Sequence, residues 1–295
     1  MRFALLGTGP WATRVHAAAL AAHPDAELVG VWGRRPEAVA ALADRHGARA
    51  HDDVDTLLAD CDAVAVALPP DVQAPLAVRA AEAGKHLLLD KPLATTVPGA
   101  RRVADAVQRT GVRSVVFFTL RFATTSARWI AEQTVTGGWL TGRAEWYSPV
   151  FGGADSPYTA SPWRREKGAL WDVGPHALSV LLPVLGDADP ADVTAARGPG
   201  DTVHLVLRHA GGASSTVAVS HTVPPAAAGV TAELRGTAGV VALPERDAPA
   251  EDAYARAVDA LLDPAPHPCD AAFALRVTRL LAAAEAQLPP APPTA

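Results

Sequence analysis

Four segments carry residue types at spacings that suit chemistry. The first is Gly7-Thr8-Gly9-Pro10-Trp11-Ala12, directly after the apolar run at residues 2–6. Gly7 permits a tight turn, and Gly9 lets backbone approach a pyrophosphate. Ala12, in place of a third glycine, still allows close helix–strand packing. Pro10 has no N–H and suits the first turn of a helix. The free N–H groups and positive dipole end there favour a phosphate, so the segment predicts dinucleotide binding. The second is Val31-Trp32-Gly33-Arg34-Arg35-Pro36-Glu37. A strand end in this position usually carries the Asp or Glu that binds the ribose hydroxyls of NAD. Here Gly33 leaves space, and Arg34 and Arg35 offer guanidiniums shaped for a 2′-phosphate. The expectation is NADP(H) in preference to NAD(H), with NAD(H) possible.

The third segment is Leu87-Leu88-Leu89-Asp90-Lys91-Pro92. It places a charged pair at the carboxyl end of a parallel strand, where open α/β sheets bind ligands. Lys91 would hold a substrate hydroxyl or carbonyl and stabilise the oxygen as it becomes anionic; Pro92 fixes the turn. Asp90, Lys91 and Pro92, with Leu68 and Pro69 at the close of the third strand, are expected beside the cofactor. The fourth segment runs from Trp163 to His176. Asp172 and His176 are four apart, which puts them on one face of a helix. Histidine titrates near neutrality and would take the hydroxyl proton when a carbinol is oxidised; Asp172 would orient the substrate or the imidazole. Arg121, Tyr158, Trp163 and Arg164 are expected to line the substrate pocket. The other histidines lack such spacing and read as structural or solvated, and no cluster of His, Cys and carboxylates suggests a metal site.

The elements that must position these residues fall into two groups. Up to residue 118, short apolar runs at 2–6, 27–32, 63–68, 86–89 and 112–118 alternate with helical segments at 11–22, 36–46, 73–83 and 97–110. Near-continuous apolar strands separated by helices imply a parallel, doubly wound α/β sheet covered on both faces. Beyond it, helical signals at 124–135 and 174–185 are interleaved with strand runs at 139–148, 202–209, 214–222, 229–235 and 240–243, and a helix at 270–288 closes the chain. The hairpin turn at 210–213 and the partial alternation before it predict a mostly antiparallel open sheet. The expected division is a dinucleotide-binding domain at 1–118, a second α/β domain at 119–288 and a flexible proline-rich tail at 289–295. The second sheet's open face is expected to carry Val217 and Val219 or their neighbours and to pair copies of the chain into a homodimer or homotetramer.

Composition narrows the partners. The chain has 295 residues, 49% hydrophobic and 19% charged, which suits packed domains and excludes a wholly disordered chain. A net charge of −5 without a basic stripe argues against nucleic acid. No run of 18 uncharged apolar residues suggests a membrane span. Two distant cysteines, Cys61 and Cys269, exclude a disulfide scaffold and point to a cytoplasmic setting.

Taken together, the motifs resemble the Gfo/Idh/MocA oxidoreductases, the family of glucose–fructose oxidoreductase and inositol dehydrogenase. Gly7-Thr8-Gly9 looks like the family's dinucleotide turn, and Gly84-Lys85-His86 leading to Asp90-Lys91-Pro92 looks like its G-K-H…E-K-P motif. Trp163-Arg164 followed by Gly168 through His176 looks like its W-R…G-x-x-x-D-x-G-x-H segment, and Arg121-Phe122 matches its R-F pair. The resemblance implies an N-terminal Rossmann domain, an α/β second domain, and Lys91, Asp172 and His176 as the catalytic trio. It implies an NAD(P)-dependent dehydrogenase or reductase acting on a sugar, polyol or similar small molecule. Two other activities use the same fold: a non-catalytic dinucleotide sensor or co-repressor, and an NAD-dependent glycosidase. Asp90 stands where the family has Glu, and Gln73 where it often has His.

Overall fold

The computed structural model describes residues 1–153, 155–245 and 248–289. The proline-rich segment lies, except for Pro289, outside the described residues. The chain divides into two compact units, Met1–Ala123 with Ala248–Leu275, and Thr124–Asp247 with Arg276–Ala295.

The first unit is built on a six-stranded, fully parallel sheet. Its strands are β1 (Arg2–Leu6), β2 (Glu27–Trp32), β3 (Arg49–His51), β4 (Ala63–Val66), β5 (His86–Asp90) and β6 (Ser114–Phe117), in the order β3-β2-β1-β4-β5-β6. Phe3, Leu5 and Leu6 of β1 and Leu87–Leu89 of β5 are wholly buried. Each such side chain contributes about 1.5–3 kcal/mol of burial free energy. The connecting helices are α1 (Ala17–Ala22), α2 (Pro36–His46), α3 (Val54–Ala59), α4 (Pro70–Glu82) and α5 (Val97–Thr110), followed by α6 (Thr119–Phe122). α1 is entered through a π-helical turn, Ala12–His16. α5 shows the local rules plainly: Thr96 accepts from Gly99 N–H at its start, and Gly111 ends it at φ +70°.

Four elements here have no counterpart in the sequence-based expectation: β3, α3, α6 and the helix α10 (Ala250–Leu262). β3 has only three residues, Arg-Ala-His, and no apolar run; it is an edge strand recruited by pairing with β2. α10 lies in the stretch expected to belong to the second domain. It packs instead in the first unit, against β5, β6 and the π-helical turn. Its apolar stripe explains the return: Ala253, Tyr254, Ala257, Val258 and Leu261 are all wholly buried. The first compact unit runs on through Ala123, because α6 continues the same core through Leu120 and Phe122.

The second unit carries a six-stranded mixed sheet. Its strands are β7 (Trp139–Tyr147), β8 (Ala188–Arg197), β9 (Val203–His209), β10 (Ser214–Ser220), β11 (Gly229–Gly236) and β12 (Gly239–Ala242), in the order β12-β11-β7-β10-β9-β8. Only the central β10–β7 pairing is parallel; the others are antiparallel. The helices are α7 (Thr124–Thr136), α8 (Pro162–Asp172) and α9 (Gly174–Leu185), while α11 (Ala271–Glu285) closes the described chain. β8, unpredicted, has a single buried residue, Val193, as an edge strand can.

Val217 and Val219 do not lie on the open face. They are 1% and 0% exposed and share the face that packs on α9, where a side chain at Gly142 would strike Leu181 and Leu185. Period-two alternation gives the other face to their neighbours, Thr216 and Ala218, with Val206 of β9 half exposed. Helices α8 and α9 run through a 24-residue segment, Pro162–Leu185, that contains an apolar window long enough to cross a membrane, but 83% of that window is buried within the protein.

Candidate active-site residues

In the first unit the dinucleotide turn has the geometry its glycines predict. Gly7 sits at φ +133°, and a Cβ there would lie 2.4 Å from the Ala67 carbonyl oxygen, so only glycine fits. A Cβ on Gly9 would meet nothing within 4 Å, which leaves the backbone open to a ligand. Gly33 does not leave the space expected of it: a Cβ there would lie 3.0 Å from Thr8 and 3.2 Å from Val39, whose side chains occupy that place. Ala12 is fully buried and Trp11 stacks on Phe117. Arg34 is exposed, and Arg35 donates to the Thr8 carbonyl at 3.5 Å. The residues present therefore fit a dinucleotide.

Lys91 follows β5, half-buried, and its peptide bond to Pro92 is cis. Its backbone N–H donates to Asp90 Oδ1 at 2.9 Å. Beneath the loop, the buried Gln73 side chain acts as a clamp. Its Nε2 donates to the Asp90 and Pro92 carbonyls at 2.7 and 3.1 Å, and its Oε1 accepts from Asp90 N–H at 2.9 Å. An amide can accept and donate at once, which lets one side chain hold both edges of the loop. Asp90 Oδ2 lies 3.8 Å from Nε2 of His16, whose ring is fully buried and 4.1 Å from that of Tyr254. Burial pushes the His16 imidazole down to about 3, so it is neutral at ordinary pH. Leu68 and Pro69 follow β4 and lead into α4. Arg121, in α6, places its guanidinium 5.5 Å from the Phe273 ring centre.

In the second unit, α8 ends at Asp172 and α9 begins at Gly174, so Asp172 and His176 stand either side of a one-residue break. Each is 5% exposed. The Asp172 carboxylate accepts at Oδ2 from Arg164 Nε at 2.8 Å and from His221 Nε2 at 3.0 Å. The Arg164 guanidinium lies over the rings of Tyr158 and Trp163, at 4.8 and 4.6 Å. These three predicted pocket residues thus meet around one cation. The His176 ring stacks on Trp146, 4.6 Å away and 19° from parallel. Gly168 kinks α8 at φ +64°, and Asp201 Oδ2 accepts from Ala169 N–H at 3.0 Å, capping the turn that delivers Asp172.

Trp146, Ser148, Asp201 and His221 were not singled out from the sequence. Strand parity carries the missing signal. Val219 pairs with Trp146 in the parallel β10–β7 ladder, so alternation puts Trp146, Val217, Val219 and His221 on the covered face.

Comparisons with known proteins bear on the family and the fold. Residues 1–118 match the family model described as an oxidoreductase family with an NAD-binding Rossmann fold. Residues 127–242 match the Gfo/Idh/MocA C-terminal domain. Inositol 2-dehydrogenase of Rhizobium meliloti is 28% identical over 75% of this chain and 68% of its own. D-Glucoside 3-dehydrogenase of Escherichia coli is 32% identical over 63% of this chain, which spans about half (54%) of that relative. Among solved structures, GenD2 from gentamicin A biosynthesis, in complex with NAD, superposes with a TM-score of 0.81 at 26% identity, covering 97% of this chain and 93% of that one.

Proposed function

This chain belongs to the Gfo/Idh/MocA oxidoreductase family, and from that premise we propose that it moves hydride between a nicotinamide cofactor and a hydroxyl or carbonyl carbon of a sugar, polyol or related small molecule. The observation that carries the proposal is the Asp172 carboxylate, buried with two donors on one oxygen and four residues from the buried His176. A buried carboxylate is costly, and core packing does not require one.

The bound nicotinamide supplies or accepts the hydride. Gly7, Thr8, Gly9, Pro10, Trp11 and Ala12 would hold the pyrophosphate, with Leu68, Pro69, Asp90 and Pro92 alongside. Gly33, Arg34 and Arg35 would receive the adenosine ribose. The cofactor preferred is NADP(H), since β2 ends without a carboxylate and two guanidiniums follow it. His176 takes the hydroxyl proton during oxidation and returns it during reduction. Lys91 stabilises negative charge on the reacting oxygen. Asp172 orients the substrate hydroxyl or the imidazole, and Arg121, Tyr158, Trp163 and Arg164 shape the pocket. The second sheet's open face, through Val206, Thr216 and Ala218, would pair copies of the chain into a dimer or tetramer. Two buried free thiols, pushed up to about 11 by burial, suit a reducing, cytoplasmic setting.

The test is a panel of sugars, polyols and keto-sugars, including myo-inositol and D-glucose, followed by nicotinamide absorbance with both cofactors. Turnover with at least one member is expected. Cofactor binding without turnover on any would replace the proposal with a dinucleotide sensor. Sugar cleavage without net cofactor change would replace it with a glycosidase.

A further inference from the structure

We propose that His221, locked by Ser148, is a positioning residue for the reaction: it fixes the carboxylate of Asp172. The proposal rests on the catalytic role given to Asp172 above. His221 lies 49 residues from Asp172, at the end of β10, and is 1% exposed. Its Nε2 is 3.0 Å from Asp172 Oδ2, and its Nδ1 is 2.7 Å from Ser148 Oγ. An ionised carboxylate only accepts, so Nε2 carries the hydrogen. In its neutral form the ring presents Nδ1 as an acceptor, to which Ser148 would donate. Serine, imidazole and carboxylate form one hydrogen-bonded chain.

The chain is anchored at both ends. Ser148 N–H donates to the Ser220 carbonyl, and Phe151 N–H to that of His221, which ties the end of β7 to the end of β10. Asp201 joins the two ends of the arrangement. Its Oδ1 accepts from His221 N–H at 2.8 Å and from the hydroxyls of Ser220 and Thr222 at 2.9 and 3.1 Å. Its Oδ2 accepts from Ala169 N–H, three residues before Asp172. One carboxylate therefore sets the spacing between the backbone that bears the imidazole and the helical turn that bears Asp172. With Arg164 on the same oxygen, Asp172 Oδ2 is fully committed to donors of the protein. The carboxylate plane is fixed, and Oδ1 is held in one direction. Such prepositioning matters because displacement of a reacting group by about 1 Å costs about 100-fold in rate.

The test compares His221→Phe, His221→Gln, Ser148→Ala and Asp172→Asn, assayed on the best substrate of the sugar and polyol panel. Phenylalanine keeps the ring volume and removes both nitrogens. Glutamine returns an N–H donor near the position of Nε2. His221→Phe should lower kcat by about 10- to 100-fold with KM changed much less, as expected for loss of an oriented group and not of binding. Glutamine should recover most of that loss, and Ser148→Ala should cause a smaller fall of the same kind. A structural role alone predicts no rescue by glutamine and a loss of folded protein instead. Independently of turnover, 15N-histidine-labelled protein should show a downfield imidazole N–H resonance that His221→Gln removes. Absence of that resonance, or normal kcat in His221→Phe where Asp172→Asn is impaired, would overturn the proposal. Normal kcat in Asp172→Asn would overturn the role on which it rests.

Discussion

Replacing Lys91 or His176 by alanine removes, respectively, the cation at the end of β5 and the imidazole stacked on Trp146. Each change should lower hydride transfer at least about 100-fold, the size of effect typical of a positioned acid–base group. Circular dichroism should show both variants folded. Near-normal turnover in both would remove them from the mechanism. Arg34 carries a second test at this scale. A charge-assisted contact to a 2′-phosphate is worth about 1.5–3 kcal/mol, which is about ten- to a hundredfold in affinity. Arg34→Ala should therefore weaken NADP binding and spare NAD; equal Kd values in the wild type, unchanged by the substitution, would make the arginine a bystander. Asp172, His176 and Lys91 stand out as candidates in the sequence because their neighbours carry the pattern. His221, Ser148 and Trp146 were not, because their roles arise across a sheet whose register no local motif specifies. Gln73 was visible as a departure, but its grip on both edges of the Lys91 loop belongs to tertiary geometry.

At the scale of elements, the Lys91 loop depends on α4 through that one amide. Gln73→Leu would remove the three hydrogen bonds by which its amide holds the Asp90 N–H and the Asp90 and Pro92 carbonyls. The expected cost is about 3 kcal/mol or more, since each group that loses its partner costs about 1–3. Turnover should fall more than cofactor affinity, because the loop carries Lys91 and not the dinucleotide turn. A urea midpoint equal to wild type would show that the clamp is not structural. The elements legible in the sequence are those that bury a continuous or regularly alternating apolar set: β1, β5 and α9 read directly. β3, β8 and α10 did not. The first two are edge strands without an apolar run, and α10 mixes alanine with charged residues around its buried stripe of Ala253, Tyr254, Ala257, Val258 and Leu261. The break between α8 and α9 shows the same limit. Four-residue spacing suggested one helix face for Asp172 and His176, whereas the helix breaks at Val173 between them, and Gly168 and Asp201 decide how that turn is presented.

At the scale of the whole molecule, buried imidazoles make stability depend on pH. His16 falls from 6.5 to about 3 on burial, and burial also lowers His209 and His267. The unfolded chain binds protons that the native state refuses, so the His16 contribution is complete above about pH 6.5 and is lost as pH falls toward 3. The slope is up to about 1.4 kcal/mol per pH unit for each such group. Urea unfolding at pH 5 and pH 7.5 should show wild type losing about 2 kcal/mol more than His16→Leu. Equal losses would mean that His16 is not buried neutral. The open sheet face makes a second prediction. Ala218→Arg with Val206→Glu should convert a dimer or tetramer to monomer in sedimentation equilibrium, and a monomeric wild type would contradict the assembly.

The most direct test of the central claim is isotope transfer. A sugar or polyol substrate carrying deuterium on its carbinol carbon is incubated with the enzyme and oxidised cofactor, and the reduced nicotinamide is examined by mass spectrometry. The account predicts that the deuterium appears in the nicotinamide, at a rate that falls at least about 100-fold in His176→Ala. Bound cofactor that acquires no label from any member of the panel would contradict it.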